Sequence, residues 1–131
     1  MRRTLSKISG LSDEWKEAQG PLTIGIDLGD RYSQCCVLDS HGDIIAEGRF
    51  ASTQDGFEKH FKGVKRLRIA IEGGAHSRWV SELLSRFGHE VIVANPRNLH
   101  LIPESVRKSD RVDARALARL ARVAIQACYL H

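Results

Sequence analysis

The sequence predicts an α/β fold: one mixed sheet with helices on both faces, in the order β-β-β-α-β-α-β-α. Three observations carry this. Three apolar or alternating runs follow one another between residues 22 and 50, with a turn signal inside the series, which is the pattern of an antiparallel meander. From Gln54 onward helical and strand patterns alternate, as they do where crossover helices join parallel strands. The chain has 131 residues, the length of one ordinary domain. A domain of that size buries roughly two-thirds of the surface its unfolded chain exposes, enough for a core without disulfides or a structural metal.

Residues 1–21 read as a polar N-terminal tail, with a short helix around Leu11–Ala18, closed by Gly20-Pro21. The domain proper is expected over residues 22–127. Leu22–Leu28 is apolar enough for a buried strand. Gln34–Leu38 and Asp43–Phe50 follow as strands, joined by a hairpin turn at Ser40-His41-Gly42-Asp43. Gln54–Phe61 is helical, with Phe57 and Phe61 one turn apart. Arg68–Ile71 is a short strand ending at Glu72 and broken by Gly73-Gly74. A helix from about Ala75 to Phe87 gathers Trp79, Val80, Leu83, Leu84 and Phe87 on one face, with Gly88 as its C-cap. Glu90–Ala94 is the fifth strand, closed by Asn95-Pro96, and Arg97–Pro103 is a loop or short helix. The last helix is expected from Ser109 or Asp110, both suitable N-cap residues, to near Ala127.

Composition excludes several classes. Hydrophobic residues are 42% of the chain and charged residues 27%, values that argue against a largely disordered protein. The net charge of +4 permits a nucleic-acid partner without demanding one. Three cysteines, Cys35, Cys36 and Cys128, show neither disulfide nor zinc spacing. The expectation is reduced thiols in a cytoplasmic protein. The basic N-terminus is not followed by an apolar stretch, so no secretory signal is read. No run approaches the roughly 20 apolar residues that span a bilayer, so no membrane partner is expected.

Four carboxylates stand out. Asp27 lies inside an apolar strand, where an unpartnered carboxylate is costly. Glu72 ends the fourth strand. Asp110 and Asp113 are one turn apart at the expected start of the last helix. If the first and fourth strands are adjacent and parallel, and the last helix covers them, the four meet. Carboxylates that close resist ionisation unless a cation joins them. All-oxygen ligation favours Mg2+ or Mn2+, and two such ions roughly 4 Å apart suit phosphodiester chemistry. Each residue also has an ordinary reading: Asp27 as a turn residue or half of an ion pair, Glu72 as a surface residue, Asp110 as an N-cap, Asp113 as the partner of a nearby arginine.

The residues Gly25-Ile26-Asp27-Leu28-Gly29, Ile71-Glu72-Gly73-Gly74, Asn95-Pro96 and Lys108-Ser109-Asp110-Arg111-Val112-Asp113-Ala114 resemble the DEDD transposases, the insertion-sequence family numbered one hundred and ten, known for recombination guided by a bridge RNA. The resemblance runs from about Leu22 to Arg122. It implies an RNase H-like domain similar to the RuvC resolvase, with Asp27, Glu72, Asp110 and Asp113 as the catalytic, magnesium-binding carboxylates. It also implies DNA as partner, with a guide RNA and a homodimer or higher oligomer as further partners. Members of the family continue into a C-terminal domain with a nucleophilic serine, and nothing in this sequence matches that domain. The chain is therefore expected to be an N-terminal domain or a remnant, incomplete for strand exchange alone.

Arg111, Arg115, Arg119 and Arg122 form one stripe on the last helix, expected to face away from the acids, as a solvated face or a contact to phosphates or a partner chain. Lys62, Lys65, Arg66 and Arg68 make a second basic cluster. Arg97, Arg107 and Lys108 lie nearest the acids and are the first candidates for nucleic-acid contact. His76, after the Glu72-Gly73-Gly74 corner, is a further candidate, with an idle helix-start histidine as the simpler reading. Two other functions compete. One is a catalytically inactive module that binds nucleic acid or protein. The other is a fragment of an actin-like or sugar-kinase-like ATPase, whose first phosphate loop Gly25-Ile26-Asp27-Leu28-Gly29 also resembles.

Overall fold

The computed structural model describes residues 10–94 and 113–129, with side chains to residue 123. The strands are β1 (Thr23–Asp27), β2 (Tyr32–Leu38), β3 (Ile44–Ala51), β4 (Arg68–Glu72) and β5 (Glu90–Ala94). The helices are α1 (Gln54–Phe61), α2 (Ser77–Arg86) and α3 (Ala114–Tyr129). The five strands form one sheet in the order β3-β2-β1-β4-β5. The meander β1-β2-β3 is antiparallel, whereas β4 and β5 run parallel to β1. The expected element order, sheet type and two-sided helix packing are all present. The expected Asn95-Pro96 turn and the loop or helix at 97–103 lie outside the described residues.

Alternation along the strands sorts the side chains between two layers. Ile24 and Ile26 of β1, Ile69 and Ile71 of β4 and Val37 of β2 pack with Phe57 and Phe61 of α1 and Val80, Leu83 and Leu84 of α2. Full burial of each such side chain contributes about 1.5–3 kcal/mol. On the other face α3 lies across the sheet centre. Leu117, Leu120 and Ala121 pack on Ala70 and Ala94, while Ala114 and Ala118 pack on Cys36 and Leu38. Cys35 and Cys36 therefore point to opposite layers, as expected of adjacent strand residues. A Cβ added to Gly25 would stand 2.1 Å from the carbonyl oxygen of Ala114 and 2.3 Å from the nitrogen of Ala118. The backbone of α3 thus rests directly on β1, and only glycine leaves room for it.

The turns follow local chemistry. Asp39 Oδ1 accepts from the backbone N–H groups of His41 and Asp43, shaping the β2-β3 hairpin. Thr53 caps α1 by accepting from the Gly56 N–H at 3.0 Å. Gly88 has φ +96°, and the N–H groups of Gly88 and His89 return to the carbonyls of Ser85 and Leu84, the Schellman closure expected of that glycine.

Residues 10–20 depart from the reading as tail. Leu11, and Trp15 within a 3-10 helix at Glu14–Glu17, are buried in the main core, and Trp15 meets the Phe61 ring at 6.1 Å. Gly10 bridges to Arg49 on β3, and Lys65 Nζ donates to the Gly20 carbonyl at 2.9 Å. The polar residues between the two apolar ones hide this docking in the sequence.

Candidate functional site

Asp27 and Glu72 are the last residues of β1 and β4, one position beyond the paired residues Ile26 and Ile71. Each lies two residues after a small residue covered by α3, Gly25 and Ala70 respectively. Both carboxylates therefore leave the sheet on the α3 side, at the C-terminal end of neighbouring parallel strands, where open α/β sheets commonly place their sites. Asp27 is buried, at 9% exposure.

Asp113 approaches from the helix. Its Oδ1 accepts from the Ala116 N–H at 2.9 Å and its carbonyl accepts from the Leu117 N–H. It is the N-cap of α3, whose first residue is Ala114. The expectation that the last helix carries Asp113 inside it is corrected accordingly; Ser109 and Asp110, its expected first residues, lie outside the described residues. All three are good capping residues, and the pattern alone does not choose among them. The helix dipole favours a carboxylate at this end.

A cleft of about 630 Å³ opens between β1, the β2-β3 hairpin and the start of α3. Asp27, Gln34, Glu47, Asp113 and Arg115 line it. It thus brings Asp27 and Asp113 together, while Glu72 stands on the adjacent strand end outside its lining. Among the described residues, no three His, Cys, Asp or Glu side chains form a group able to hold a metal ion. Asp110, Arg97, Arg107 and Lys108 lie outside the described residues.

The arginine stripe is also revised. Arg115 lines the same cleft as the acids and donates through Nε and Nη2 to Glu47, the latter at 2.8 Å. Arg122 donates to the Ser40 carbonyl at 3.2 Å. The helical wheel had set Asp113 opposite the arginines, but as a capping residue Asp113 does not follow the helical period. Hydrogen bonding from Arg115 holds the Glu47 carboxyl below its ordinary range. Burial, with Glu47 nearby, pushes the Cys36 thiol up to about 12, and burial also raises Cys35 well above the ordinary thiol range. Neither thiol is a nucleophile near neutral pH. Of the second basic cluster, Lys65 holds backbone carbonyls, and Arg66 and Arg68 face Glu90.

His76 is engaged on both ring nitrogens. Trp79 Nε1–H donates to Nδ1 at 3.1 Å, which assigns the proton of the neutral ring to Nε2, and Nε2 lies 3.0 Å from Asp30 Oδ1. The ring is therefore committed to protein partners. Gln34, Glu47 and Arg115 were not singled out as site residues from sequence. For Gln34 a signal existed, a polar residue opening an otherwise apolar strand.

A five-stranded mixed sheet in this order, with a carboxylate ending its central strand and a helix laid across that strand, defines an RNase H-like domain. The family model of the DEDD transposases of insertion-sequence family one hundred and ten, described as a transposase, matches residues 24–128. The chain belongs to that family. No curated protein matches it. Among solved structures, the ethanolamine utilization protein EutJ from Carboxydothermus hydrogenoformans is similar at 12% identity and a TM-score of 0.39, over 70% of this chain. This chain covers 42% of that one, less than half its length. Among the described residues, no helix is long and apolar enough to cross a membrane.

Proposed function

We propose that this chain is the DEDD nuclease-type domain of an insertion-sequence transposase, acting on DNA phosphodiester bonds with Mg2+ or Mn2+ held by Asp27, Glu72, Asp110 and Asp113. The observation that carries the reading is the convergence of Asp27 and Asp113, distant in sequence, on one open cleft at the end of the central strands. Two carboxylates facing one cleft favour a cation between them, and an all-oxygen donor set suits a hard divalent ion. Glu72 ends the neighbouring parallel strand on the same face, outside the cleft lining, and the proposal requires its carboxylate to reach the ion from there. Such ions polarise a phosphate and activate a water or hydroxyl.

The chain's own residues do the positioning. The β1 ladder fixes Asp27, and the α3 cap fixes Asp113 through Ala116. The bidentate Glu47–Arg115 pair ties the first turn of α3 to β3, so the two carboxylates keep their separation. Further parts of this proposal are a guide RNA and assembly as a homodimer or higher oligomer.

Calorimetric titration of Mg2+ and Mn2+ tests the metal site. Wild type should bind and Asp27→Asn should not; equal binding by both, or none by either, removes the metal claim. A second reading, an inactive nucleic-acid or protein interaction module, is favoured by the lack of a three-residue metal group among the described residues. Robust cutting of branched DNA by the chain with Mg2+ would exclude it.

A further inference from the structure

We infer that Tyr32 and Arg49 form a stacking site for an unpaired nucleobase, beside the cleft that holds Asp27 and Asp113. The inference rests on reading that cleft as the place where a nucleic-acid strand is processed.

The register builds the site. Asp27 pairs with Gln34, and Gln34 with Arg49, so the three side chains form one rung across β1, β2 and β3 on the α3 side of the sheet. Tyr32, two residues before Gln34, is on the same face. The helix does not extend over this end, and Tyr32 is 49% exposed. Among the side chains described, to residue 123, it is the one Phe, Tyr or Trp ring so exposed; the others there serve the core or its margin. Its neighbour across the ladder is Ala51, too small to cover it. The Arg49 guanidinium lies over the ring, 4.3 Å from its centroid.

The chemistry fits a nucleotide. An exposed aromatic ring and a planar guanidinium are surfaces on which bases stack, whatever the sequence. The exposed Gln34 amide carries both donor and acceptor for a base edge or sugar. Arg49 lies two strand spacings from Asp27, about 10 Å, a span a single nucleotide can bridge between a stacked base and a phosphate at the carboxylates. A duplex keeps its base faces to itself, so the strip suits a single strand. A purely structural role also exists, since diagonal cross-strand pairs stabilise sheets modestly, and the test must separate the two.

The full chain, in EDTA, is titrated into a fluorescein-labelled oligothymidylate, the matching oligouridylate and a duplex of equal length. Wild type should prefer a single strand, and the tighter of the two identifies DNA or RNA as the source of the base. Tyr32→Ala should weaken that binding about tenfold while Tyr32→Phe leaves it within about twofold. Arg49→Gln should weaken it and reduce its salt dependence. Binding by Tyr32→Ala equal to wild type overturns the inference, as does equal binding of duplex, or of none of the probes. Asp27→Asn should still bind in EDTA, so failure of the metal claim leaves this result standing. Should Tyr32→Ala lose its circular dichroism, photocrosslinking of wild type to a 5-iodouracil oligonucleotide decides: an adduct on Tyr32 supports the site, and adducts only elsewhere refute it.

Discussion

Gly25 shows how much one side chain decides. With the Ala114 carbonyl 2.1 Å from where a Cβ would sit, and backbone rather than a flexible side chain in the way, Gly25→Ala must lift α3 or bend β1. Overpacking of this kind costs about 1–3 kcal/mol. The expected outcome is a lower urea midpoint together with loss of the Mg2+ binding proposed above, because lifting α3 also withdraws Asp113 from Asp27. An unchanged midpoint would mean that the helix does not rest there. The sequence marked this glycine as part of a motif. Its packing role was not legible, because the partner lies some ninety residues away and no local pattern announces a crossing.

At the scale of elements, His89 staples three of them. Its Nδ1 accepts from the Leu67 N–H ahead of β4, and its Nε2–H donates to the carbonyl of Phe61, the last residue of α1, while its own backbone leads into β5. Burial holds His89 and His60 below the ordinary imidazole range; for His60, Lys16 and Lys59 act in the same direction and Asp13 opposes them. The sign follows from proton counting. Unfolded imidazoles take up protons near pH 6.5 while the folded ones resist, so this contribution is intact above that value and is lost as pH falls below it. The urea midpoint should therefore drop between about pH 7.5 and about pH 5.5, and His89→Gln should flatten that dependence. Equal slopes for both proteins would remove His89 from this role. The strands were legible because alternation and apolar runs are local signals, and so was the Gly88 stop. The start of α3 was not, since Ser109, Asp110 and Asp113 are equally fit to cap and only the packed helix selects the last.

Across the whole molecule, the segment at residues 10–20 closes the core beneath α1. Trp15→Ala should cost about 3–5 kcal/mol, and a chain starting at Leu22 should melt well below the full one in a thermal scan. Equal melting temperatures would restore the reading of this segment as a tail. The candidate site was half legible for a related reason. Asp27, Glu72 and Asp113 announce themselves as acids in apolar or capping contexts, whereas Gln34, Glu47, Arg49 and Tyr32 gain their place only through the register of the meander. The crossing of α3 over β1 also sets an order in time. A ribosome delivers the sheet and both helices of the opposite layer before α3, so the small residues Gly25 and Ala70 lack that helix until it emerges. Asp27 has no Asp113 opposite it during that interval, so the proposed site is assembled when α3 docks rather than growing with the sheet.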